Sequence, residues 1–233
     1  QSGVNAIGTS LYNHIRDFST MQEAQAENEE LKGRVAELTE ENNRLQAEQY
    51  ELERLRELYA LDQDYMQYEK VAARVIAKDS GNWFQIFRIN KGSNDGIKEN
   101  MNVIAGGGLV GIVTDVGANY ATVRSIIDDA SRVSCMSMRS GDNCIVSGDL
   151  TLFQEGLLGL DHVKKEADIQ EGDKIVTSNI SDVFLPGILV GYATELTTDS
   201  NNVTKSGQIV PVAEFDNLQE VLVITQLKDG GEE

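Results

Sequence analysis

Residues 97–116 read IKENMNVIAGGGLVGIVTDV, and residues 169–196 read IQEGDKIVTSNISDVFLPGILVGYATEL. The two stretches share one plan. Ile97-x-Glu99 leading to Val103-Ile104 is answered by Ile169-x-Glu171 leading to Ile175-Val176. Val110-Gly111-x-x-Thr114-Asp115-Val116 is answered by Val190-Gly191-x-x-Thr194-Glu195-Leu196. The offset grows from 72 to 80, so the second copy carries eight extra residues before its Val-Gly pair. A repeat of this kind indicates two similar units in tandem. Within each unit, short apolar runs alternate with glycine corners, which is the texture of strands.

The same texture fills everything after Tyr68. Val71–Ala77, Trp83–Ile89, Asn102–Ala105, Leu109–Val116, Ala121–Ile127, Val133–Met138 and Asn143–Ser147 read as strands, followed by Lys174–Ser178, Leu189–Leu196, Gly207–Ala213 and Val221–Leu227. Gly, Asn and Asp clusters separate them, and the whole chain has only two prolines against 21 glycines. No stretch in this half has a helical period. The expectation is an all-β head of barrels or a sandwich.

Before Tyr68 the period changes. Read in sevens, one column gives Ala24, Leu31, Leu38, Leu45, Leu52 and Tyr59, and the other gives Met21, Asn28, Val35, Asn42, Gln49 and Arg56. Leucine at strict seven-residue spacing marks the d seam of a coiled coil, and Val and Asn at the a positions favour two parallel strands. Asn28 and Asn42 would meet their counterparts and fix register. The expected dimer contacts are Leu31, Val35, Leu38, Asn42, Leu45 and Leu52, against the plainer alternative of one amphipathic helix lying on its own domain. After Leu52, Leu55, Leu58 and Leu61 follow at spacing three, so the stripe swings round the helix toward whatever follows. Forty residues at 1.5 Å each make a rod of about 60 Å. Residues 1–20 read as its N-terminal continuation.

Composition narrows the functional classes. Of 233 residues, 20 are Lys or Arg and 38 are Asp or Glu, a net charge of −18. Between Met21 and Glu69 there are 14 acidic and 5 basic residues, so the rod is acidic. Nothing supplies the basic face that a nucleic-acid partner requires. The most apolar stretch, Val103 to Val113, is too short and too glycine-rich to span a membrane. Either the protein is soluble or its anchor lies outside this sequence. Cys135 and Cys144 flank a turn at Arg139–Asp142, open to a cross-strand disulfide or to two buried thiols.

Catalytic signals are missing. The two histidines, His14 and His162, lie in different segments, and no Cys-x-x-Cys, His-x-x-x-His or Gly-x-Ser-x-Gly occurs. Gly106-Gly107-Gly108 lacks the following Lys-Ser/Thr of a phosphate loop. Asp128-Asp129 and the group Asp168, Glu171 and Asp173 offer carboxylates without an EF-hand spacing. No cofactor or metal is expected. Trp83, Phe87 and Ile89 on one strand face, with Phe84 and Ile86 on the other, read as wall-filling residues of a small barrel.

The order of motifs is specific. A leucine-heptad rod runs into Val75-Ile76-Ala-Lys-Asp79-Ser-Gly-Asn82-Trp83-Phe84-Gln85. Then come Lys91-Gly92-Ser-Asn-Asp95-Gly96-Ile97, Gly108-Leu109-Val110-Gly111, Gly172-Asp173, Val176-Thr177-Ser178 and Pro186-Gly187 before Val190-Gly191. In this order the chain resembles the MreC family of bacterial rod-shape-determining proteins. Trp83, Gly92, Gly96, Gly108, Gly111, Gly172, Asp173, Gly187 and Gly191 carry the motifs. Asn100 and Asn179 stand where the family has Gly, at positions where Asn tolerates φ > 0, and Leu185-Pro186-Gly187 replaces Pro-Lys-Gly.

The resemblance implies a mainly β protein: a juxtamembrane helical segment at 1–20, a coiled coil at 21–68, and two six-stranded β-barrels of chymotrypsin-like architecture without peptidase activity. The expected barrels are 69–150 and 151–228, with the last strands open to a return to the first, followed by a disordered tail at 229–233. It further implies a single-pass membrane protein whose anchor precedes Gln1 and whose barrels lie outside the cytoplasm. The implied partners are a second copy (with larger self-assemblies open), a class B penicillin-binding transpeptidase, and the MreD and MreB complex. The implied role is a non-catalytic scaffold for peptidoglycan synthesis in cell elongation. Two rivals stand beside it. A chymotrypsin-like protease would need His162, and a membrane-fusion or secretion adaptor would show two coil segments flanking its barrel domain.

Overall fold

The computed structural model describes the backbone of residues 2–78, 85–198 and 203–228, and side chains from residue 25 onward except Ala26. Trp83 and the tail at 229–233 lie outside the described residues, as do the side chains of the segment at 1–20. The chain forms two compact units, residues 1–55 and 56–233. The first is helix throughout its described length, part of α1 (Ser2–Asp64). Leu31, Lys32, Arg34 and Glu37 are strong helix formers, and no proline interrupts the run.

Among its described residues the second unit holds the end of α1, twelve strands, one short α-helix and a 3-10 turn at Ser93–Asp95. The strands are β1 (Lys70–Lys78), β2 (Ile86–Ile89), β3 (Asn102–Ala105), β4 (Gly108–Val116), β5 (Ala121–Ser125), β6 (Arg132–Ser137) and β7 (Asn143–Ser147). After α2 (Leu150–Phe153) follow β8 (Leu158–Lys164), β9 (Lys174–Thr177), β10 (Leu189–Thr198), β11 (Thr204–Pro211) and β12 (Glu220–Ile224). They close into two barrels, β1-β12-β3-β4-β5-β2 and β10-β11-β8-β7-β6-β9, with every pairing antiparallel. Alternation explains the closure. On β2, Phe87 and Ile89 are buried while Ile86 and Arg88 face outward. Closure leaves no unpaired strand edge, which removes edge-to-edge aggregation as a hazard.

The partition of strands corrects the boundary expected at residue 150. β6 and β7 belong to the second barrel, not the first. The place that β6 would fill in the first barrel is taken by β12, which pairs with β1 through Leu222↔Ala72 and with β3 through Val223↔Val103. The first barrel therefore closes only when the C-terminal strand returns to it.

Two elements are absent from the strand and helix expectations above. β8 carries a bulge at His162, φ 57°. Its buried residues Leu158, Leu160 and Val163 are therefore spaced two and then three, which hides the period of two. α2 is a single turn capped by Asp149, whose Oδ1 accepts from the N–H groups of Thr151 (2.8 Å) and Leu152 (3.1 Å). One turn is too short to show a period.

The duplication is visible in geometry. Asn100, φ 67°, and Gly172, φ 84°, occupy equivalent left-handed turn positions before β3 and β9. Asn179 does not need that conformation. It sits in a turn closed by Ser181 N–H to Ser178 O (3.4 Å), which right-handed residues build.

Candidate interaction surface

The residues expected to form a coil seam lie along α1. Leu31, Val35, Leu38, Leu45 and Leu52 are between 48 and 63% exposed, and Asn42 is exposed among them. Regularly spaced leucines left in water are an unpartnered apolar stripe. Its flanks are organised by pairs within the helix, Arg34–Glu30 at 2.8 Å and Arg44–Glu48 at 3.7 Å, each of small worth on an exposed surface. The swing of the stripe after Leu52 ends inside the second unit, where Leu61 and Tyr65 join the core and Leu58 packs against it.

Where α1 ends, a junction begins. Lys70 Nζ is buried against the Asp62 carboxylate (3.1 Å) and donates to the carbonyls of Asp62 and Tyr65, satisfying the helix C-terminus with a cation. Tyr65 Oη donates to Gly107 O of the first barrel and accepts from Leu189 N–H of the second, both at 3.1 Å. Tyr68 Oη donates to Pro186 O at 2.7 Å. Burial raises both tyrosine pKa values, at Tyr65 against the lowering pull of the Leu189 N–H and with added repulsion from Asp64, so the hydroxyls stay protonated donors. Asn102, fully buried on β3, donates through Nδ2 to Val183 O (3.1 Å) and accepts through Oδ1 from Leu185 N–H (2.8 Å). Gly108 completes the seam, since a Cβ there would lie 2.6 Å from Leu189 O and against Val212. The two barrels therefore meet in a hydrogen-bonded interface rather than through a loose linker.

The other motif residues are structural in the same sense. Gly111 on β4 and Gly191 on β10 play one role twice: each lies against a carbonyl of the next strand, Arg124 O and Val210 O, with no room for a Cβ. Gly92 packs on the Gly117–Ala118 turn, and the Asp95 carboxylate accepts from its N–H at 3.1 Å. Gly96 and Gly187 hold left-handed turns. Asp173 anchors one end of the second barrel. It accepts from Arg139 Nε (2.8 Å), Arg139 Nη2 (3.0 Å), Ser137 Oγ (3.1 Å) and Gln170 N–H (3.0 Å). Arg139 also grips Asp168 at 2.8 Å. The guanidinium holds both carboxyls below the usual range.

A depressed carboxyl pKa contributes stability above the unfolded value of about 3.9, lost as pH falls through the lower folded value. Asp173→Asn should therefore melt earlier than the parent chain near pH 7, with the gap narrowing below about pH 4. Thermal melts across pH check this, and a gap independent of pH would refute it.

Among the described residues the candidate catalytic groups are not brought together. His162 is exposed on its bulge. Beside it, Ser147 Oγ donates directly to Asp161 Oδ2, which leaves no place for an imidazole between hydroxyl and carboxylate. Asp128 and Asp129 accept from Ala130 and Leu150 N–H groups. Among the described residues no three His, Cys, Asp or Glu gather as a metal site. Cys135 and Cys144 face each other across β6 and β7 as buried free thiols, their pKa values pushed up by burial, Cys144 to about 12.

The family pattern described as rod shape-determining protein MreC, barrel core, matches residues 75–225, from β1 through the returning β12. This chain belongs to the MreC family. The cell shape-determining protein MreC of Listeria monocytogenes serovar 1/2a is 30% identical over 209 residues, covering 88% of this chain and 70% of that protein. A solved MreC structure from Listeria monocytogenes is 31% identical with a TM-score of 0.63, covering 88% of this chain and 97% of that one. A chain of the complex between penicillin-binding protein PBP2 and MreC from Helicobacter pylori shares the fold at 17% identity and a TM-score of 0.52, covering 68% and 99%. MreC proteins are shape-determining structural proteins, and the chain takes its place among them. The secretion-adaptor reading finds no support in these relatives, and among the described residues α1 is the single long helix.

Proposed function

We propose that this chain is a non-catalytic extracytoplasmic scaffold that displays paired MreC barrels to the enzymes of peptidoglycan synthesis. The exposed leucine seam carries the reading. A parallel pairing of α1 through Leu31, Val35, Leu38, Asn42, Leu45 and Leu52 would bury that stripe and bring two heads to one level. Two linked heads raise the effective concentration of docking sites for a class B penicillin-binding transpeptidase. The Helicobacter pylori complex supports that class of partner, and family membership supports links to MreD and MreB and anchoring to the cytoplasmic membrane. Among the described residues no helix is long and apolar enough to cross a membrane.

The test is interferometry against the ectodomain of the same bacterium's elongation transpeptidase. The coil should be broken by point changes, not by removing residues 1–68. That truncation would also remove Tyr65 from the barrel junction. Micromolar or tighter binding that weakens when the coil is broken supports the scaffold, whereas no binding by the intact chain defeats it. A second prediction concerns the seam itself: Asn42→Val should stabilise the coil and loosen its oligomer choice. A sedimentation profile showing an unchanged clean dimer would contradict it.

A further inference from the structure

Cys135 and Cys144 are the two cysteines of the chain, and the proposed scaffold uses neither. They are direct partners across β6 and β7, in a ladder that runs unbroken from Arg132↔Ser147 to Met136↔Asn143. Side chains directly opposite each other leave an antiparallel pair on the same face. Both are buried, at 0 and 3% exposure. Further along the ladder, Ser137 N–H donates to Asp142 O at 2.9 Å. Pair type alternates from one position to the next. Cys135 and Cys144, two positions away, are therefore also a hydrogen-bonded pair, whose Cα atoms stand about 5.5 Å apart. Disulfides span Cα separations of about 4.4–6.8 Å. The strand spacing suits the bond. The row continues past Cys135 to Thr177 on β9. Thr177 Oγ1 donates to Leu185 O at 2.6 Å and accepts from Ile188 N–H at 2.8 Å. Leu185 N–H in turn donates to Asn102 Oδ1 across the barrel junction. On the other side of the pair, the β6–β7 turn carries Arg139, which grips Asp173 and Asp168. A bond between the two sulfurs staples the hairpin that ties these contacts together.

We propose that Cys135 and Cys144 are a modification site: they form a cross-strand disulfide as the chain folds in the presence of a small-molecule or protein disulfide, and the closed barrel then shields the bond. The chemistry of the pair fixes that order. The thiolate is the attacking species. In the folded barrel burial pushes both thiol pKa values up, Cys144 to about 12 with Asp142 adding to the effect. In the open chain both are ordinary thiols with pKa values of about 8.5. One thiol there loses its proton and attacks the oxidant's disulfide, whose outer sulfur leaves as a thiolate and is protonated. The second thiolate attacks the mixed disulfide, forms the Cys135–Cys144 bond and releases the other half of the oxidant as a thiol. Two protons and two electrons pass to the oxidant, which ends as two thiols. The extracytoplasmic side is where such oxidants act. Only that supply rests on the scaffold reading, and refolding in vitro tests the chemistry apart from it.

The full chain is unfolded with reductant, then refolded with oxidised and reduced glutathione in one arm and with dithiothreitol in the other. The glutathione product should lose both titratable thiols, weigh less by two hydrogens, and yield a linked Cys135–Cys144 peptide on digestion without reductant. It should melt about 5–10 °C above the reduced chain. Cys135→Ala with Cys144→Ala should erase the difference between the two arms, and Cys144→Ala alone gives the same reading should the double variant fail to fold. Chain already folded with its thiols reduced should resist oxidised glutathione. Folded oxidised chain should keep its bond in dithiothreitol until denaturant opens the barrel. Refolding that leaves both thiols free, or that gives only glutathione adducts, would overturn the proposal. An oxidised chain that melts at or below the reduced one would do the same. So would a bond that dithiothreitol removes from the folded chain as fast as from the unfolded one.

Discussion

Asn102→Ala should destabilise the head by about 2–4 kcal/mol, among the largest effects of any single change in it. The side chain has no solvent exposure and bridges the barrels with two good hydrogen bonds, to Val183 O and from Leu185 N–H. Truncation strands a carbonyl and an N–H at the seam, each costing about 1–3 kcal/mol where water cannot reach. The melting temperature should fall by roughly 5–15 °C for a chain of this size. Asn102→Asp separates lost hydrogen bonding from lost packing. Its carboxylate keeps the acceptor for Leu185 but faces the Val183 carbonyl with no donor, so it should be worse than Ala at neutral pH. Burial raises such a carboxyl's pKa. As pH falls through that raised value, the protonated acid regains a donor and part of the loss should be recovered. Melts of both variants from acid to neutral pH decide this. An Asn102→Ala variant within about 0.5 kcal/mol of the parent would mean the junction is wetter than its geometry indicates.

Leu38→Asp with Leu45→Asp should convert the proposed dimer to monomer. The proposed coil buries four of these leucines per dimer, at about 1.5–3 kcal/mol each, so a loss of at least about 6 kcal/mol raises the dissociation constant roughly 10⁴-fold. The head should be untouched, because both positions lie in the separate unit formed by residues 1–55. Multi-angle light scattering with a thermal melt reads both parts at once. A variant that remains dimeric would remove the coil as the source of pairing and leave the head faces as the candidate.

The sequence was most legible where one residue's role is local. Leucines every seven residues indicate a helix with an apolar seam, because helical periodicity alone decides which side chains share a face. Gly111 and Gly191 were found as a repeated Val-Gly pair, and both answer the same local need, a neighbouring carbonyl at van der Waals range. Asn100 stands in a left-handed turn, as the family's Gly at that position implied. His162 obscured β8 because a bulge alters spacing without altering composition. Asn179 misled because its turn was inferred from a family habit, not from its own hydrogen bonds.

The strand period, the acidic rod and the heptad seam were thus present in residue order alone, since each depends on neighbours a few positions apart, and the duplication was too, since one stretch can be laid on another without knowing the fold. Which strands close which barrel was not. β12 enters the first barrel almost a hundred residues after β5, and β6 leaves for the second at once. Nothing in either strand's own apolar pattern states its destination, because both bury one face equally well in either barrel. The Tyr65, Asn102 and Gly108 junction belongs to the same class. Its partners lie 42 to 124 residues away along the chain for Tyr65 and 81 to 83 for Asn102. Only the folded packing brings a hydroxyl, an amide and a bare Cα to the two backbones they join.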